Sequence, residues 1–151
     1  MTARPSIFVN IASYRDPECQ WTLADLFAKA RHPERVFVGI CWQFVPEQDQ
    51  HCFLVRPRPE QVRVVEVHAD HGRGTCWARA QAYQLWRGED YVLQIDAHSR
   101  FVADWDEVLL ATLAECPSPR PILSAFLSGY DPSYTDPRGR SAFLSANYSF
   151  K

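Results

Sequence analysis

The chain has 151 residues, 46% hydrophobic and 13% aromatic, which suits a single domain over residues 1–151 with one core. Sixteen basic residues stand against eighteen acidic ones, a net charge of −2, which excludes the strong positive field that nucleic acid or an anionic membrane would require. Five cysteines, an odd number without C-x-x-C spacing, exclude a disulfide framework and a zinc knuckle, and point to a reducing, cytoplasmic setting.

"IFVNIAS" (Ile7 to Ser13) is short, β-branched and aromatic, the pattern of a buried strand. The apolar stretch there is too short for a signal peptide, and no segment approaches a membrane span. Asp16 followed by Pro17 predicts a helix start, with Asp16 as the N-cap. Cys19, Leu23, Leu26 and Ala30 continue it at helical spacing until Pro33. "VFVGICW" (Val36 to Trp42) predicts a second strand. Gln43 to Glu60, polar and interrupted by Pro46, Pro57 and Pro59, predicts a long loop.

"VRVVEV" (Val62 to Val67) is a third strand, and "HADHGRG" (His68 to Gly74) a turn. Thr75 opens a helix to about Trp86, closed by Gly88. "YVLQI" is the fourth strand. Asp104 with Glu107 three residues later predicts a capping box for "WDEVLLATLAEC". "ILSAFL" (Ile122 to Leu127) predicts a fifth strand. Strands alternating with helices imply an α/β layered, Rossmann-like domain with a mostly parallel sheet. Ligands of such sheets gather at the carboxyl ends of the strands. Here those ends are Ser13-Tyr14-Arg15, Trp42-Gln43, His68 to Gly74, and Asp96 to His98.

In "YVLQIDAHSRF", Asp96 and His98 are two positions apart and face one side of an extended chain, with Cα atoms about 6.6 Å apart. A carboxylate and an imidazole suit Mn²⁺, Zn²⁺ or Fe²⁺ better than Ca²⁺. A two-ligand site leaves room for a diphosphate, on which the metal acts as a Lewis acid. The same two residues also fit an ordinary strand ending. Arg73 and Gly74 stand at the amino end of the following helix, with Arg79 one turn in, where dipole, N–H groups and guanidinium favour an anion. His68, Asp70 and His71 form a rival metal cluster, which would make the chain a metallohydrolase. No nucleophile elbow, phosphate loop of the Gly-Lys-Ser/Thr kind or dinucleotide fingerprint occurs.

Taken together, "IFVNIASYRDPECQWTLADLFAKA", "VFVGICWQ", "GRGTCWARAQAYQLWRGEDYVLQIDAHSRFVADWDEVLL" and "ILSAFLSGY" resemble a bacterial and protist N-acetylglucosaminyltransferase family. Its characterised members attach N-acetylglucosamine from UDP-N-acetylglucosamine to hydroxyproline on a protein. The resemblance spans most of the chain and is most specific from Gly72 to Leu110. It implies the GT-A glycosyltransferase fold, related to the polypeptide N-acetylgalactosaminyltransferases and their Asp-x-His motif. It further implies Asp96 and His98 as ligands of Mn²⁺ or Mg²⁺, and Ser13, Tyr14, Arg15 and Arg79 on the nucleotide side, where the local pattern already places Arg73 and Gly74. The acceptor is expected to be protein, peptide or glycan.

The resemblance also implies an acceptor-binding part after the metal motif, of which this chain holds little, so a C-terminally truncated fold is expected. That leaves a second expectation open, a non-catalytic nucleotide-sugar-binding module. The apolar ending "SAFLSANYSFK" reads either as a homodimer interface or as an edge left by truncation.

Overall fold

In the computed structural model, residues 4–125 are described. Four strands, β1 (Ile7–Tyr14), β2 (Val36–Phe44), β3 (Val62–His68) and β4 (Tyr91–Asp96), form one sheet in the order β3-β2-β1-β4. Every neighbouring pair is parallel. Three helices connect or follow them: α1 (Cys19–Lys29), α2 (Thr75–Tyr83) and α3 (Trp105–Glu115). The chain is therefore an α/β, Rossmann-like layered fold, as the alternation of strand and helix patterns implies.

The period of two in β1 separates the layers. Ile7, Val9 and Ile11 join Val36, Val38 and Ile40 of β2 in a cluster completed by Leu23, Leu26 and Phe27 of α1 and by Trp105 ahead of Leu109 in α3. Leu23 and Leu26 are fully buried, and each such side chain contributes about 1.5–3 kcal/mol on leaving water. On the opposite face Cys41 packs on Ala78 and Ala82 of α2. That helix sits close because β2 carries Gly39 beneath it. A Cβ there would lie 2.3 Å from Phe8 Cζ and 2.9 Å from the Ala82 carbonyl oxygen.

Several boundaries depart from the sequence pattern. Asp16 is not an N-cap: Glu18 holds that position, and Asp16 Oδ1 instead accepts the Glu18 N–H at 2.9 Å, a local turn ahead of the helix. Helix α2 ends at Tyr83 rather than Trp86, because Gln84, Leu85 and Trp86 donate their N–H groups three residues back in successive tight turns. The capping box at α3 does not form. Asp104 is left-handed (φ 57°), its side chain makes no cap bond, and Glu107 turns to Arg4 and His32. The long loop after β2 starts at Val45, two residues beyond Gln43, and contains a 3₁₀ turn, Gln50–Phe53. The fifth strand does not appear over Pro121–Ala125, and Phe126 and Leu127 lie outside the described residues.

Candidate functional site

The strand order locates the site. From β1 the chain passes through α1 to β2 and on to β3, then returns through α2 to β4 on the other side of β1. The direction of winding thus reverses between β1 and β4, and the crevice at their carboxyl ends is where open parallel sheets take ligands. Ala12 pairs with Asp96 in the register, so Ser13 to Arg15 extend beyond the last residue of β4.

Asp96 ends β4 with its side chain 63% exposed, and its Oδ1 accepts from Arg79 Nη2 at 2.8 Å. Among the described residues its Oδ2 accepts nothing. Arg79 reaches across from α2, one turn after Gly74, and its Nε is buried without a hydrogen-bond partner. Its main-chain carbonyl accepts from Asn10 Nδ2 at 2.9 Å, which anchors that turn of α2 to β1. His98 is exposed, with Nδ1 2.8 Å from Asp16 Oδ2 and with Nε2 making no hydrogen bond or ion pair with a described residue.

The turn that carries His98 is held by α1. Thr22 Oγ1 shares its one proton between the carbonyls of Ala97 and Ser99, at 2.6 and 3.0 Å, and accepts the Ser99 N–H at 2.9 Å. One turn later Asp25 Oδ2 accepts the Phe101 N–H at 2.6 Å. Leu26 then offers its carbonyl to Trp105 Nε1 at 2.9 Å, and Lys29 offers its own to the Asp104 N–H at 2.7 Å. Thr22, Asp25, Leu26 and Lys29 share one stripe of the helix, so residues 97–105 lie along α1 as along a rail. Ser99 Oγ closes the turn on the Asp96 carbonyl at 2.9 Å.

The other residues expected on the nucleotide side are distributed unevenly. Arg73 is exposed and its guanidinium makes no hydrogen bond or ion pair with a described residue, while Gly74 takes the N-cap of α2 at φ 87°, a conformation that favours glycine. Tyr14 is exposed beside the 3₁₀ turn Ala69–His71 that follows β3. The two exits meet at Gly72, where a Cβ would lie 2.7 Å from Gln43 Oε1 and 3.5 Å from the Tyr14 ring.

Arg15, also at a positive φ of 50°, turns away into the loop after β2. There Nε and Nη2 engage Asp49 at 2.8 and 3.1 Å, and Nη2 also donates to Gln48. That guanidinium, with the Val45 N–H, holds the Asp49 carboxyl below the usual carboxylate range. Ser13 is fully buried beside Cys19. Burial pushes the Cys19 thiol up to about 12, so this strand exit offers no thiolate.

The rival cluster does not assemble. His68 Nδ1 accepts the Asp70 N–H at 3.3 Å, its ring lies 5.8 Å from that of His71, and no three ligating side chains converge among the described residues. The sequence pattern also misses residues that shape the site. Asp16 has the look of a helix cap, and Thr22 and Asp25 are polar positions on an amphipathic helix. Only the fold, which brings residues 97–101 alongside, reveals their use.

A cavity of about 390 Å³ lies at the opposite, amino end of the sheet, lined by Arg4, His32, Arg35, Asp106 and Glu107 around Ile7 and Val36. Its acids are already engaged: Asp106 accepts the Arg31 and His32 N–H groups at 2.7 and 2.9 Å, and Glu107 pairs with Arg4 and His32. It is a less promising place for chemistry than the strand ends. Among the described residues, no helix is long and apolar enough to cross a membrane.

A family model described as Glycosyltransferase (GlcNAc) matches the chain over residues 6–58 and 54–144, which includes every residue of the crevice. No curated protein and no solved structure matches it.

Proposed function

This chain belongs to the glycosyltransferase (GlcNAc) family, and from that premise we propose that its crevice holds UDP-N-acetylglucosamine through a divalent cation. The sugar is passed to a hydroxyl acceptor on a protein, peptide or glycan, with protein hydroxyproline as the leading candidate. One observation supports this reading most. Asp96 and His98 each keep one ligating atom uncommitted, beside an arginine whose buried Nε–H has no acceptor.

The donor set suits the cation. Asp96 Oδ2 and His98 Nε2 would hold Mn²⁺ or Mg²⁺, the imidazole tilting the preference toward Mn²⁺. When bound, the cation supplies Lewis-acid stabilisation of the departing diphosphate. The chain's own residues do the rest of the binding. Arg79 and Arg73 suit phosphate oxygens, with the amino end of α2 adding its dipole and the N–H groups after Gly74. The exposed Tyr14 ring offers a flat face to the uracil. Five free thiols suit a reducing compartment, the cytoplasm.

Calorimetric titration of UDP into the chain, with and without Mn²⁺, tests the reading. Binding that requires the metal is expected. Equal affinity in its absence would overturn the proposed cation site.

A further inference from the structure

We propose that Asp16 is a positioning residue that fixes the tautomer and aim of His98, so that Nε2 is the nitrogen presented to the crevice. This rests on the reading of His98 as a cation ligand.

The inference comes from proton inventory. An ionised carboxylate only accepts hydrogen bonds, so the 2.8 Å contact between Asp16 Oδ2 and His98 Nδ1 requires the proton on Nδ1. In an uncharged imidazole the lone pair then resides on Nε2. That nitrogen makes no hydrogen bond or ion pair with a described residue, in a side chain 62% exposed. A carboxylate behind the imidazole of a metal-binding histidine is a general device. It orients the ring, selects the tautomer and raises the basicity of the ligating nitrogen.

Asp16 is itself held in place. Its Oδ1 accepts the Glu18 N–H at 2.9 Å, its main-chain carbonyl accepts the Cys19 N–H at 3.4 Å, and only 20% of its side chain is exposed. The two carboxylate oxygens therefore have separate duties, one to the backbone before α1 and one to the imidazole. At the other end of the contact, Thr22 clamps the main chain on both sides of His98 through Ala97 and Ser99. Both ends of the Asp16–His98 contact are thus built on the first two turns of α1.

This division of labour makes Asp16→Asn more informative than Asp16→Ala. The asparagine oxygen is claimed by the Glu18 N–H, which has to find an acceptor, so the amide nitrogen faces His98. A donor there demands a bare Nδ1 and drives the ring proton to Nε2, where it blocks the ligating lone pair. A residue needed only for the turn would tolerate asparagine, which makes the same turn. A residue that sets the tautomer would not.

The experiment uses the full chain in two measurements. Proton–nitrogen correlation spectra of ring-labelled histidine, taken metal-free in mildly alkaline solution, report the His98 tautomer directly, with His98→Gln assigning the signal. The expected result is a proton on Nδ1 in the wild type and on Nε2 in Asp16→Asn. Electron paramagnetic resonance of free Mn²⁺ in the presence of UDP then gives the metal affinity, which should fall about 10- to 100-fold in Asp16→Asn.

A wild-type ring protonated on Nε2 would overturn the proposal without any variant having to fold. So would wild-type Mn²⁺ affinity in a folded Asp16→Asn. The expected tautomers with no Mn²⁺ binding by the wild type would uphold the hold of Asp16 on His98 and overturn the cation reading of the crevice.

Discussion

Arg15–Asp49 and Arg79–Asp96 are two ion pairs at the carboxyl end of one sheet, each with a closest approach of 2.8 Å. They differ in what each leaves over. Asp49 is only 5% exposed and spends both oxygens on Arg15 and the Val45 N–H, while Arg15 Nη2 also donates to Gln48. Asp96 is mostly exposed and gives one oxygen to one guanidinium nitrogen. The first pair closes on itself and ties down the loop after β2. The second is open, with an oxygen and an N–H left for something else. A charged residue at a strand end is therefore a weak pointer to function, and the unspent atoms beside it are a better one.

The contrast predicts opposite responses to substitution. The largest is expected for Asp96→Ala, which removes a proposed cation ligand: Mn²⁺-dependent UDP binding should drop by more than about 100-fold. Its thermal midpoint should hardly move, because an exposed side chain with one partner contributes little to folding. Metal-dependent affinity that survives the change would erase the distinction between the pairs.

Arg79→Gln should weaken UDP binding by about 10- to 100-fold, the worth of a charge-assisted hydrogen bond. In the absence of nucleotide it should leave Mn²⁺ affinity equal or higher, since the cation no longer competes with the guanidinium for Asp96. The two titrations, run side by side, separate phosphate binding from metal binding.

The smallest effect on ligand is expected for Asp49→Asn, and it should appear in stability instead. The folded chain binds a proton at Asp49 less readily than the unfolded chain, so this carboxylate contributes stability that is fully present above the ordinary carboxylate range near ~4. That contribution is lost as pH falls through the lower folded value. Asp49→Asn should accordingly unfold more easily at neutral pH and show a flatter acid limb in a pH series of thermal midpoints. An unchanged acid limb would mean that the loop is held by other contacts.

Much of this architecture is legible in the linear pattern, for a simple reason. The central strands β1 and β2 are buried on both faces or nearly so, the edge strands β3 and β4 are more exposed, and all four are short, uninterrupted apolar-rich runs bounded by polar residues. Asp96 and His98 stand out because they adjoin the end of a strand pattern, although a turn rather than extended chain joins them. What escapes the pattern is settled over distance. Arg15 meets Asp49 34 residues away, and whether it faces a ligand or a loop depends on that encounter. Glu107 obeys the local capping rule only until Arg4 and His32 offer more. Asp16 carries the signature of a helix start and makes the associated turn, but its second oxygen belongs to a residue that the pattern places in another part of the chain.

The rail along α1 has a consequence for assembly. The contacts that fix the His98 turn join residues 75 to 79 positions apart, and Asp16 meets His98 across 82. Loops of that length close late, after the nearer β1–β2 and β2–β3 pairings have shortened the effective path between their ends. Residues 16–29 carry the groups that hold the His98 turn, and two more strands form before the segment they hold arrives. Ligand binding in a refolding or translating chain would therefore act as a clock, starting only when β4 has reached its place beside β1.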